Sequence, residues 1–155
     1  MSVNLNGITI GDNNPFVLIA GPCVVENEKM IFETAIAIKQ IAADLDIPFI
    51  FKSSFKKANR TNLKSFTGLG DKESVAILKK VREQLNLSVV TDIHTESDVD
   101  MVIDAVDILQ IPAFLSRQTD LLIAAGKSGK VVNIKKGQFL APEDMKHAVD
   151  KVTST

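Results

Sequence analysis

Five apolar, β-branched runs alternate along this chain with stretches whose apolar residues recur at helical spacing, and no other feature constrains the fold as tightly. The runs are FVLIAG (16–21), PFIFKSS (48–54), LSVVTDI (87–93), DILQIPA (107–113) and VVNIKKG (131–137). They are continuous rather than alternating, as strands buried on both faces are. Between them, Ile31, Ala35, Ile38, Ala42 and Leu45 fall on one helical face behind Asn27, a favourable N-cap. Val75, Leu78, Val81 and Leu85 repeat the pattern, as do Val99, Val102, Ile103 and Val106. Leu121, Leu122 and Ala125 mark a fourth helix closed by Gly129, and Pro142 opens a fifth, followed by Met145 and Val149. Strand followed by helix, five times over, predicts an α/β fold with a parallel sheet and crossover helices. Ahead of it, VNLNGITI places Asn6-Gly7 between short alternating runs, which predicts a type I′ hairpin within residues 1–11. No linker or composition shift divides residues 1–155, so they read as one domain.

Two parallel architectures compete at this point. Five strands complete a doubly wound sheet within 155 residues, whereas a (β/α)8 barrel needs ~200–250. Length and composition favour the doubly wound sheet. No G-x-G-x-x-G turn follows the first strand, so a dinucleotide site is unsupported.

Composition narrows the function. Apolar residues at 45% and charged residues at 24% fit a soluble globular domain. A net charge of -1 supplies no global field for nucleic acid or an anionic membrane. The absence of Trp and Tyr removes most stacking platforms for single strands. No apolar run reaches the ~18 residues of a membrane span, and MSVNLNG lacks the regions of a signal peptide. One cysteine rules out an internal disulfide and fits a reducing, cytoplasmic setting.

Every run presents polar or reactive groups at its C-terminal end, where ligands bind in parallel α/β folds. The first ends at Gly21-Pro22-Cys23, and the second leads through Lys52 and Ser54 to Lys57, Asn59 and Arg60. The third ends in Asp92 and His94, the fourth holds Gln110 and leads to Arg117, and the fifth holds Asn133, Lys135 and Lys136. Residues two apart share a strand face, which groups Lys52 with Ser54, Asp92 with His94, and Asn133 with Lys135. Lys52, Lys57, Arg60, Arg117 and Lys135 carry more positive charge than Asp92 neutralises. A ligand bearing phosphate and carboxylate groups is the simplest missing anion. Taken singly, each residue has a plainer reading. A strand-end lysine usually snorkels to solvent, a lone histidine usually serves structure, and a lone cysteine is usually a small buried hydrophobe. Their joint placement at one end of the sheet favours a site.

At FKSSFKKANRTNLKSF (51–66) the sequence resembles the 3-deoxy-D-manno-octulosonate 8-phosphate synthases. FVLIAGPCVVEN, KANRT, TDIH, ILQIPAFLSRQTDLL and VVNIKKGQFLAPEDM carry the resemblance, in family order, over nearly the whole chain. The related DAHP synthases typically have a Lys-Pro-Arg form of the second-strand motif, so Lys57-Ala58-Asn59-Arg60 favours the octulosonate branch. The resemblance implies a (β/α)8 barrel, here about five of its units with an N-terminal hairpin, against the lean from length. It implies condensation of phosphoenolpyruvate with arabinose 5-phosphate, in a homotetramer of the lipopolysaccharide pathway. Lys52, Ser54, Gln110 and Lys135 match phosphoenolpyruvate ligands; Lys57, Asn59, Arg60 and Thr61 match sugar-phosphate ligands. Arg117 matches a phosphate-binding arginine, and Asp92 the residue beside the sugar and attacking water. Lys57, Asp92 and Lys135 are thereby the expected catalytic residues. Cys23 matches the metal-dependent branch, implying a divalent metal of the zinc, iron or manganese type.

Departures accompany the match. The family barrel has eight units, and its later arginine and later His, Glu and Asp metal ligands have no counterpart here. Such a five-unit chain is expected to be incomplete and inactive alone. FTGLG (66–70) replaces a basic turn, Lys56 stands where an acidic residue is common, and Thr95-Glu96 where Glu-Pro is. Two other readings stay open: a non-catalytic half-barrel that binds anions or a partner, and a phosphosugar lyase using Lys52 or Lys135 as a Schiff-base lysine.

Overall fold

The computed structural model describes residues 2–155. Two strands, β1 (Ser2–Leu5) and β2 (Ile8–Gly11), form an antiparallel hairpin with Leu5 opposite Ile8. Asn6 and Gly7, at φ 47° and 85°, make the two-residue turn that the sequence predicts. Five parallel strands follow: β3 (Leu18–Ala20), β4 (Phe49–Lys52), β5 (Ser88–Asp92), β6 (Ile108–Ile111) and β7 (Val131–Ile134). Helices α1 (Glu28–Asp44), α2 (Asp71–Leu85), α3 (Glu96–Val102), α4 (Thr119–Lys127) and α5 (Met145–Thr153) connect or follow them.

The sheet order is β3-β4-β5-β6-β7, strictly sequential. A doubly wound sheet reverses direction partway; this one never does, so the architecture is a partial (β/α)8 barrel. Crossovers of one hand advancing the same way put all helices on one face, and residues of all five join a single core with alternate strand residues. Phe49, Phe51, Val89, Leu109 and Ile111 point to that face and join Ile31, Leu78, Val81, Val102 and Leu122 in the main core. The alternate residues Ile50, Val90 and Ile108 point to the concave face and pack with Leu5 of the hairpin, flanked by Ile8, Ile10 and Val131. The hairpin thus floors the N-terminal end of the concave face. Asn6 fixes it there, donating from Nδ2 to Ser88 Oγ at 3.1 Å and to Asp107 Oδ1 at 3.2 Å.

Local chemistry explains the element ends. Asn27 caps α1 as predicted, its Oδ1 accepting from Met30 N at 2.8 Å. The inward face of α1 is Ile31, Ala35 and Ala42, but Leu45 is the C-cap and is 63% exposed. Pro142 starts a 3₁₀ turn, with α5 beginning at Met145; Ala148 faces the core and Val149 is 42% exposed, one position out of phase with the predicted face. Helix α3 ends at Val102, so Val106 is buried from the following loop. Gly21 sits where β3 and β4 converge: a Cβ there would lie 2.0 Å from the Lys52 carbonyl oxygen, a space only glycine fits.

Candidate active site

Strand parity sends Lys52, Asp92, Gln110 and Asn133 to the concave face. Register keeps Asp92, Gln110 and Asn133 level, one layer above the apolar floor, while Lys52 lies opposite Val90 and reaches up from one layer lower. They form one polar chain across four strands. Lys52 Nζ lies 3.0 Å from Asp92 Oδ2 and donates to Ser54 Oγ at 2.9 Å. Ser54 donates in turn to Asp92 Oδ2. Gln110 Nε2 donates to Asp92 Oδ1 at 2.5 Å, and Asn133 Nδ2 donates to Gln110 Oε1 at 2.9 Å. Asp92, Gln110 and Ser54 are buried, so the bonds of Ser54 and Gln110 to Asp92 are made away from bulk water.

Asp92 is the electrostatic centre of this chain. Burial pushes its carboxyl upward, but Lys52 beside it, with hydrogen bonds from Gln110, Ser54 and Lys52, outweighs burial and holds it below the usual carboxylate range. It is therefore a fixed anion that orients donors. His94, two residues on, is half-buried with its ring edge-on to Phe55, centroids 5.8 Å apart. Burial holds its imidazole below the ordinary histidine value, against the upward pull of Asp98 and Asp92. Its backbone N–H and that of Thr95 donate to Asp98 Oδ2 at 2.8 and 3.1 Å, which anchors the start of α3.

The other expected residues lie outside this layer. Lys57, Asn59 and Thr61 are exposed on the loop after β4. Arg60 folds back, donating from Nη1 to Lys57 O at 3.1 Å, while its buried Nε has no partner. Lys135 is exposed at the end of β7, its backbone N–H donating to Ile111 O at 3.0 Å. Arg117 lines a separate cleft of about 450 Å³ with Ser116, His147 and Lys151, beyond β6. A second cleft, of about 500 Å³, lies at the opposite end of the sheet around Asn6, Arg82 and Asp107, away from the strand-end chemistry. The structure thus brings Lys52, Ser54, Asp92 and Gln110 together and leaves Lys57, Asn59, Arg60, Thr61, Arg117 and Lys135 on the surrounding loops.

Two residues gain a role that the sequence left blank. Asn133 was legible as a concave-face residue by its spacing from Lys135, but its bond to Gln110 required the register. Lys56 pairs with Asp71 Oδ2 at 3.5 Å and Asp98 Oδ1 at 3.8 Å, tying the base of the loop to the first turns of α2 and α3. Cys23 is exposed after β3, and among the described residues no three His, Cys, Asp or Glu side chains converge to hold a metal ion. The residues present supply one thiol donor and do not by themselves make a metal site.

Residues 1–155 match the model of the DAHP synthetase I family. The chain is 56% identical over 149 residues to the 2-dehydro-3-deoxyphosphooctonate aldolase of Paraburkholderia xenovorans, covering 96% of this chain and 52% of that protein. It is 55% identical over 150 residues to the protein of that name from Desulfatibacillum aliphaticivorans, covering 97% and 55% respectively. The Variovorax paradoxus protein of the same name is 56% identical over 149 residues. The chain spans about half the length of the curated relatives it matches.

Proposed function

The chain belongs to the DAHP synthetase I family, and from that premise we propose that its concave face binds phosphoenolpyruvate for condensation with arabinose 5-phosphate. The observation that carries this is the polar chain from Lys52 to Asn133, laid across four strand ends, with the cations Lys57, Arg60 and Lys135 on the loops that follow β4 and β7. The relatives' printed name, an aldolase of 2-dehydro-3-deoxyphosphooctonate, supports the choice of sugar.

In the proposed reaction, C3 of the enol attacks the aldehyde carbon and a carbon–carbon bond forms. The aldehyde oxygen takes a proton, water adds its oxygen to C2, and the C–O bond to phosphate breaks, releasing inorganic phosphate. The protein must hold two polyanions against each other. Lys52, Ser54, Gln110 and Lys135 hold phosphoenolpyruvate, Lys57, Asn59, Arg60 and Thr61 hold the sugar phosphate, and Arg117 is a phosphate-binding arginine. Charge neutralisation and positioning supply the rate. Asp92, ionised and triply hydrogen-bonded, keeps Lys52 and Gln110 aimed. No step is routed through a metal, since Cys23 is a single donor here. A cytoplasmic location and a homo-oligomer complete the reading; the oligomer is supported by apolar Phe16, Ile36, Ile41 and Leu45, which lie exposed near β3 and α1.

The test is phosphate release from phosphoenolpyruvate in the presence of arabinose 5-phosphate, by the chain alone and extended with the C-terminal half of a curated relative. Product from the extended chain supports the reading. An extended chain that binds both substrates and forms no eight-carbon product refutes the condensation.

A further inference from the structure

Gln110 and Asn133 lie side by side on the concave face, and only one arrangement of their amides suits the charge beside them. The Asp92 carboxylate can only accept, so Gln110 turns Nε2 towards it. That places Gln110 Oε1 on the other side, where it accepts from Asn133 Nδ2 at 2.9 Å. Gln110 is 5% exposed, so its carbonyl has little solvent to turn to instead. One N–H of Gln110 serves Asp92. We infer that Asn133 is a positioning residue: by occupying the Gln110 carbonyl it locks the Gln110 amide with its N–H side towards Asp92 and the Lys52 ammonium, and so favours an anionic, oxygen-rich ligand over that part of the layer. This rests on the reading of the concave face as an anion site, and it adds Asn133 to the residues that define what the site accepts.

The charged groups facing Asn133 are Asp92 and Lys52, through Gln110, and Lys135 two residues along its own strand. An N133D substitution keeps the shape but replaces a donor by a group that only accepts when ionised. It then opposes the Gln110 carbonyl, unless it takes up a proton and donates as Asn133 does. Asp92 stays ionised to lower pH, so the introduced carboxyl protonates first.

Urea unfolding of the intact chain, wild type against N133D and N133L, at about pH 8 and about pH 5 reads this directly. N133D is expected to unfold at lower urea than wild type at the higher pH and to approach it at the lower. N133L is expected to fall short equally at both. A deficit for N133D that is the same at both pH values, or an N133L indistinguishable from wild type, overturns the inference. Calorimetry with phosphoenolpyruvate gives the second readout: Kd rises roughly tenfold in N133D at about pH 8 and recovers at about pH 5. If unfolding recovers with acid but wild type binds no phosphoenolpyruvate, the positioning role stands and the anion-site reading falls.

Discussion

Replacing Asp92 by Asn removes one charge from the middle of the concave layer and almost no volume. The side chains of Asp92 and Lys52 are 10% and 20% exposed and 3.0 Å apart. Breaking a buried pair by deleting one partner costs ~3–5 kcal/mol. The water that still reaches Lys52 lowers this, to about 2–4 kcal/mol. The new amide must also turn an N–H against a donor, either Gln110 Nε2 or the Lys52 and Ser54 side. At ~2–4 °C per kcal/mol for a chain of this size, Tm falls by roughly 5–15 °C. The chain has no Trp or Tyr, so unfolding is followed by far-ultraviolet circular dichroism. Adding Lys52→Met removes the stranded cation, and the double variant should be at least ~1 kcal/mol more stable than the sum of the single losses implies. The sign of the pH dependence follows from the lowered Asp92 value. Its stabilisation is complete above the unfolded value of ~3.9 and is lost as pH falls through the lower folded value. The gap between wild type and D92N should therefore be flat from about pH 5 upward and close only in acid. Strict additivity in the double variant, or a gap that closes near neutral pH, would refute the reasoning.

Three further outcomes can be checked on the same material. Gly21→Ala drives a Cβ to 2.0 Å from the Lys52 carbonyl oxygen; it should cost ~2–4 kcal/mol in urea unfolding, since the opposing atom is backbone. The His94 imidazole sits below its ordinary value through burial, so stability should decline as pH drops below ~6.5, and His94→Leu should flatten that slope. Lys56→Glu sets a negative charge against Asp71 and Asp98; amide exchange over residues 57–70 should quicken several-fold with little change in the sheet, whereas unaltered exchange would mean the loop is held by other contacts.

The five strands were legible because burial on both faces leaves continuous apolar runs, and their polar ends were legible because parity sorts residues by face. Strand order was not. Length favoured a doubly wound sheet and the resemblance a barrel; the pairing of each strand with its sequence neighbour bears out the barrel. The core of the site, Lys52 with Ser54, Asp92 and Gln110, followed from periodicity and resemblance together. Lys56 defied reading from sequence because its partners Asp71 and Asp98 lie on two different helices, distant along the chain. Helix faces slipped where caps intervene: Leu45 and Val149 keep the spacing but sit where α1 has ended and where α5 is rotated by its 3₁₀ entry.

The Asn6 bonds reach 82 and 101 residues along the chain. A β-hairpin forms in about 1–10 μs, yet this one has nothing to fasten to until β5 and the residues before β6 have been made. Each βα unit meanwhile packs on the unit just before it. Synthesis from the N-terminus therefore lays down β3 to β5 before the second anchor of the hairpin, Asp107, is made. Contacts made that late slow unfolding more than they speed folding. The hairpin is expected to act as a latch, and cutting its Asn6 bonds should speed unfolding more than it slows refolding.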